Sequence, residues 1–152
     1  MVRLKFIFKF LAIVLLLSIA IFFLYFNNTR LTNSKTVQFY HQLKDTLIAR
    51  GYKSSLLVIS TKRFKWHNAI QEKLSGAASK SKHLTGEALD FIVFDVNANG
   101  TSNSKDVDIV YDILDREIIQ NKGGVGTYKT ESAFINKQMI HIDSRGNRAR
   151  WK

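Results

Sequence analysis

The chain has 152 residues, with 23 Lys and Arg against 12 Asp and Glu, for a formal net charge of +11. It contains no cysteine, which excludes both a disulfide framework and a lipidated cysteine. Such a surface favours anionic partners, cell-wall polymers or lipid headgroups, and nucleic acid is the least fitting of them outside a membrane; the charge alone is met equally well by any basic soluble domain.

Arg3, Lys5 and Lys9 open the chain, and from Phe10 to Phe26 only Ser18 and the Tyr25 hydroxyl interrupt an apolar run. About 20 such residues suffice to cross roughly 30 Å of hydrocarbon. Residues 1–26 are therefore expected to form a transmembrane anchor with a cytoplasmic amino terminus, the rest of the chain lying on the periplasmic or extracellular side. A cleaved signal peptide is the competing reading, with Ser18-Ile19-Ala20 as cleavage site, but the apolar run continues past it. Residues 27–36 read as a polar tether and 37–152 as one domain.

Within that domain, Val37, Phe39, Tyr40, Leu43, Leu47 and Ile48 recur at helical spacing and Gly51 follows as a stop, predicting a helix over about 36–50. A strand is expected over 55–60 and a helix over 66–74, then a loop of small residues over 75–79. Residues 88–94 read as a strand, apolar except for Asp90. A helix is predicted over 106–120, a turn at Gly123-Gly124-Val125-Gly126, and a last strand from 139 to 142. The mixture indicates an α+β class.

Between the second strand and the third helix, Asp95, Asn97, Asn99, Thr101 and Asp106 share a loop with Gly100 at its sixth position. This is the spacing of an EF-hand calcium loop, with Asp where the last ligand is usually Glu. The same residues also suit a polar turn that ends in an Asp106 helix cap. Ca2+ binding and a plain turn both remain open.

The densest chemistry lies in Ser81-Lys82-His83-Leu84-Thr85-Gly86-Glu87-Ala88-Leu89-Asp90 and, about fifty residues on, His141-Ile142-Asp143. A carboxylate or an imidazole in an apolar strand is unfavourable unless it is paired. Asp90 could face a Lys or Arg, and His141 could be hydrogen-bonded in the core. A metal ion would satisfy both, and two imidazoles with one carboxylate are enough for a catalytic zinc site with an open position. In a strand Asp143 faces the same side as His141, where it could orient that ring or accept a proton.

Ser81-x-His83-x-x-Gly86-x-Ala88-x-Asp90 resembles the signature of the VanY-type zinc D-Ala-D-Ala carboxypeptidases and L,D-endopeptidases, in the superfamily that also holds hedgehog domains. Gly123 to Tyr128, His141 to Gly146, Arg148 to Trp151 and, upstream, Ser60 to Arg63 with His67-Asn68 are similar to further blocks of that family, in the same order. The resemblance implies a small antiparallel sheet flanked by helices and hydrolysis of amide bonds in peptidoglycan stem peptides or cross-links. It implies Zn2+ on His83, Asp90 and His141, and substrate contacts from Arg63 and Ser81. Many relatives carry an acidic base three residues before the last histidine ligand, where this chain has Gln138. Asp143, ahead of Glu131, is the expected replacement; Glu87 points away on alternation. Two further readings stand beside the enzyme: a non-catalytic wall-binding module of the same fold, and an anchored calcium-binding interaction protein.

Overall fold

The computed structural model describes residues 2–26, 31–75, 78–128 and 138–151, with side chains described for all of these but 2–5, 22–26, 74 and 75. Val2–Phe26 forms helix α1. Among the described residues, however, no helix is long and apolar enough to cross a membrane. The single-pass anchor expected at 1–26, the membrane as its partner and the placement of the domain across a cell membrane are corrected accordingly.

Helix α2, Ser34–Ala49, begins at Asn33, whose side chain accepts the Lys35 amide, and buries Phe39, Tyr40, Leu43 and Leu47 along one face. It ends before Gly51, at φ +77°, a conformation that glycine adopts without penalty. Strand β1 (Leu56–Ser60), helix α3 (Lys65–Ser75) and strand β2 (Ala88–Val93) follow as the residue patterns predict. Helix α4, Ser104–Ile113, runs directly into a π-helical segment, Leu114–Ile119. Strands β3 (Gly124–Tyr128), β4 (Met139–Asp143) and β5 (Ala149–Trp151) complete the chain.

The sheet has the order β1-β2-β4-β3-β5. Its first three pairings are antiparallel and β3 pairs with β5 in parallel, so the sheet is mixed rather than antiparallel as expected. β5 is too short to be recognised from periodicity, and Asp115 of the π-helical segment fixes it, pairing with Arg148 and, at 2.6 Å, with Arg150. Arg150 also donates to the carbonyls of Gln120 and Gly123.

The turn expected at Gly123–Gly126 is instead the start of β3. A Cβ on Gly124 would overlap the Asp143 carboxylate, and one on Gly126 would overlap the Trp151 indole. Glycines in a strand here mark close approach from the neighbouring strands.

One face of the sheet carries Val58, Leu89, Phe91, Val93, Val125, Ile140 and Ile142, packed on the apolar sides of α2, α4 and the π-helical segment. Burial of this face at about 25 cal/mol per Å² is the main stabilising contribution. Because side chains alternate, the residues between them line the opposite face.

Candidate metal centre

The strand register lines up five residues across that second face. Ser60 pairs with Asp90, Asp90 with His141, His141 with Gly126, and Gly126 with Trp151. Ser60 reaches this row through an irregularity after Val58, which pairs with the core residue Phe91; an extra residue in one strand re-aims the next side chain. His83 arrives from the turn before β2. Its backbone carbonyl accepts the Arg63 and Gly86 amides, and Gly86 sits at φ +73° with the Leu31 carbonyl 2.7 Å from where a Cβ would stand.

His83, Asp90 and His141 are buried, each with a ligand-type atom within 4.8 Å of the others. The two imidazoles meet edge to face, centroids 5.1 Å apart. His83 Nδ1 lies 2.6 Å from the Thr61 carbonyl oxygen; a carbonyl only accepts, so Nδ1 carries a proton, and in the neutral ring Nε2 offers its lone pair. That Nε2 is buried without a hydrogen-bond partner. It nevertheless stands 3.1 Å from Asp90 Oδ2, at hydrogen-bonding distance without the alignment. With the ring neutral, two acceptors face each other at this range, an arrangement that a cation would relieve, and a two-imidazole, one-carboxylate set suits zinc.

His141 Nδ1 contacts Asp90 Oδ1 at 2.7 Å and its Nε2 contacts Asp143 Oδ2 at 3.3 Å. Burial disfavours charge on His141, but hydrogen bonds to Asp143 and Asp90 outweigh it and push its pKa up to about 9. Burial likewise opposes ionisation of Asp90, yet the two imidazoles hold its carboxyl well below the usual range. For Asp143 the opposing burial is overcome by hydrogen bonds from His141 and Arg145, again holding the carboxyl below that range.

Asp143 is fully buried and its oxygens are occupied. Oδ1 accepts from Gly124 N (3.0 Å), Arg145 N (3.1 Å) and Arg145 Nε (2.8 Å), while Oδ2 accepts from Arg145 Nη2 at 2.6 Å and faces His141. Arg63 donates from Nη2 to Asp90 Oδ2 at 2.7 Å and from Nε to Ser60 Oγ at 2.9 Å, placing its guanidinium beside the cluster. Ser81 Oγ accepts the His83 amide at 3.3 Å, within the turn that carries the ligand. Glu87 is held by Lys82 and Thr85 and lies outside the cluster. The Gln138 side chain donates to Ser102 Oγ at 2.7 Å, away from the row. Glu131 lies outside the described residues.

Three contributors carry no assigned role in the sequence reading: the Thr61 carbonyl, and Arg145 and Trp151, which lie within the family-like blocks. A backbone carbonyl leaves no signal in residue identity. Arg145 stands two residues after Asp143, and Trp151 lies in the strand that periodicity could not reveal. The glycines at 124 and 126, set two apart like Asp143 and His141 opposite them, were the available clue.

The 95–106 loop is held by hydrogen bonds of its own. Asp95 accepts the Asn99 and Gly100 amides, and the buried Asp106 accepts the amides of Val96, Asn97 and Asn103, the last as part of a capping box. These oxygens close a polar turn and cap α4, and Ca2+ binding there is not supported.

A buried His-Asp-His cluster that could hold a metal ion lies beside a guanidinium on one face of the sheet of a small α+β domain. Residues 26–151 match the family described as peptidoglycan L,D-endopeptidase MepK. The match spans most of the chain, and the chain belongs to that family of peptidoglycan-hydrolysing peptidases. No curated protein matches it.

Proposed function

We propose that the chain is a zinc-dependent peptidase cleaving L,D amide bonds in peptidoglycan peptides, with His83 Nε2, His141 Nδ1 and Asp90 as ligands. The observation that carries this reading is the orphaned His83 Nε2, buried and aimed at Asp90 while its Nδ1 is committed to Thr61. A zinc ion held there supplies Lewis acidity toward the scissile carbonyl and lowers the pKa of water.

The chain's own residues divide the remaining work. Arg63, kept in place by Ser60 and Asp90, supplies a guanidinium suited to a substrate carboxylate. Ser81 supports that region through the His83 turn. Asp143 orients the His141 ring, because six contacts from Gly124, Arg145 and His141 leave its carboxylate little capacity for a proton. The proton-accepting role then goes to Glu131, the other carboxylate expected from the sequence.

Metal analysis of the purified protein combined with digestion of muropeptides tests this reading. Wild type should carry about one zinc and release cleaved peptide, and His83→Ala should lose both. Zinc bound without cleavage in wild type would sink the enzyme reading in favour of a wall-binding module of the same fold.

A further inference from the structure

We propose that Arg145 is a positioning residue of the metal centre, holding the Asp143 carboxylate against His141 and thereby setting how tightly His141 binds the ion. The inference deepens the proposed function and rests on it for the ligand set.

Four side chains close a ring on the site face. His141 Nε2 meets Asp143 Oδ2 at 3.3 Å, Asp143 takes a bidentate fork from Arg145 at 2.8 and 2.6 Å, the Arg145 guanidinium lies 5.4 Å from the Trp151 ring, and that ring lies 5.1 Å from His141. Each member is fixed by its neighbours. Trp151 rests on the bare backbone of Gly126, and Asp143 occupies the space left by Gly124.

Within this ring the contact between Asp143 and His141 is the long one, and the contacts to Arg145 are the short, charge-assisted ones. The position of the Asp143 carboxylate is therefore set by Arg145 more than by the imidazole. Asp143 has no exposed surface, so no water can replace a lost guanidinium without rearrangement. A carboxylate free to rotate would turn toward the Gly124 and Arg145 amides and release the His141 ring. Ring orientation and basicity govern how well a histidine ligates, and losing such a partner typically weakens metal affinity about 10–100-fold. Lysine is a poor substitute, since a point charge cannot reproduce the planar fork or its stacking on an indole.

The Arg145 side chain is 28% exposed, so substitution there adds no large cavity to the core. Zinc affinity would be measured by competition with a chromophoric chelator on the full chain, alongside thermal melting of the metal-free protein. Arg145→Lys should melt close to wild type yet bind zinc about tenfold more weakly, and Arg145→Gln should lose about 10–100-fold. Arg50→Gln, which breaks an exposed pair with Glu117 on the helical side of the sheet, should bind zinc as wild type does. Wild-type affinity in both Arg145 variants, or a loss that tracks the melting temperature equally in Arg50→Gln, would overturn the proposal. His83→Ala separates the two levels: if it binds zinc normally, the ligand set is wrong; if it loses zinc while the Arg145 variants keep it, only the positioning role falls.

Discussion

Stripping the metal and raising the pH should loosen the protein in one defined window. In the metal-free site His141 bridges two carboxylates, and its pKa stands at about 9 against an ordinary value of 6.5. A folded-state pKa raised above the unfolded one gives stability that is fully present below 6.5 and lost as pH rises through about 9. The difference is about 2.5 pH units, and at about 1.4 kcal/mol each this is on the order of 3 kcal/mol. Asp90 and Asp143, both depressed, contribute stability that is present above about pH 4 and constant through this window. For a domain of this size the loss corresponds to roughly 10 °C in Tm. Thermal melts of chelator-treated protein between pH 6 and 9.5 would show the decline, and His141→Gln should flatten it. Zinc must displace the same proton, so its apparent affinity should rise about tenfold per pH unit up to about pH 9. A metal-free Tm independent of pH across 6.5–9, or a zinc affinity that is flat there, would refute the bridged-imidazolium reasoning.

Three further outcomes follow from the geometry. Gly124→Ala sets a methyl against the Asp143 carboxylate, which cannot retreat without losing its donors; chemical denaturation should report a loss of about 1–3 kcal/mol and chelator competition a weaker zinc site. At saturating zinc, Glu131→Gln should lower kcat by about 10²–10⁴ with zinc affinity unchanged, whereas Asp143→Asn should weaken zinc and regain much of its rate once loaded; the reverse pattern would return the base role to Asp143. Asp115→Ala frees Arg148 and Arg150 and should loosen β5, read as a shift in tryptophan fluorescence as Trp151 leaves Gly126, and an unchanged spectrum would argue against that clamp.

Sequence periodicity located α2, β1, α3, β2 and β4 because each carries an apolar face of sufficient length. It failed where a neighbouring element decides the structure. Gly123 to Gly126 has the composition of a turn, and becomes a strand because Asp143 and Trp151 need the space beside it. β5 is three residues long and is held by arginine pairs to Asp115, which leave no periodic signal. The oxygen-rich loop before α4 matched a calcium spacing, yet the same side chains satisfy amides of the turn itself. The apolar run at the amino terminus gave a composition signal, yet among the described residues no helix is long and apolar enough to cross a membrane. His83, Asp90 and His141 were legible because polar groups in apolar runs demand a partner. Their shared row across the sheet was not, since register depends on pairing rather than on any one strand.

Strand β4 ties the site to the fold. Met139, His141 and Asp143 face the metal side while Ile140 and Ile142, both fully buried, face the helices. A slip of one residue in its pairing would drive an imidazole and a carboxylate into the apolar core and turn two isoleucines toward Asp90. Burying those charges unpaired would cost several kcal/mol, comparable to the whole stability of a small domain. The alternation that makes the core thus also excludes the competing register, and the ligands arrive in line as a consequence of folding. The cluster is then organised before any ion arrives: Arg63 and Arg145 neutralise the two carboxylates, and His83 is fixed by Thr61 with its second nitrogen turned inward. An ion entering such a site needs little rearrangement beyond removing the proton from His141, so the Asp143–Arg145 support behind that ring is the part of the fold on which its affinity depends.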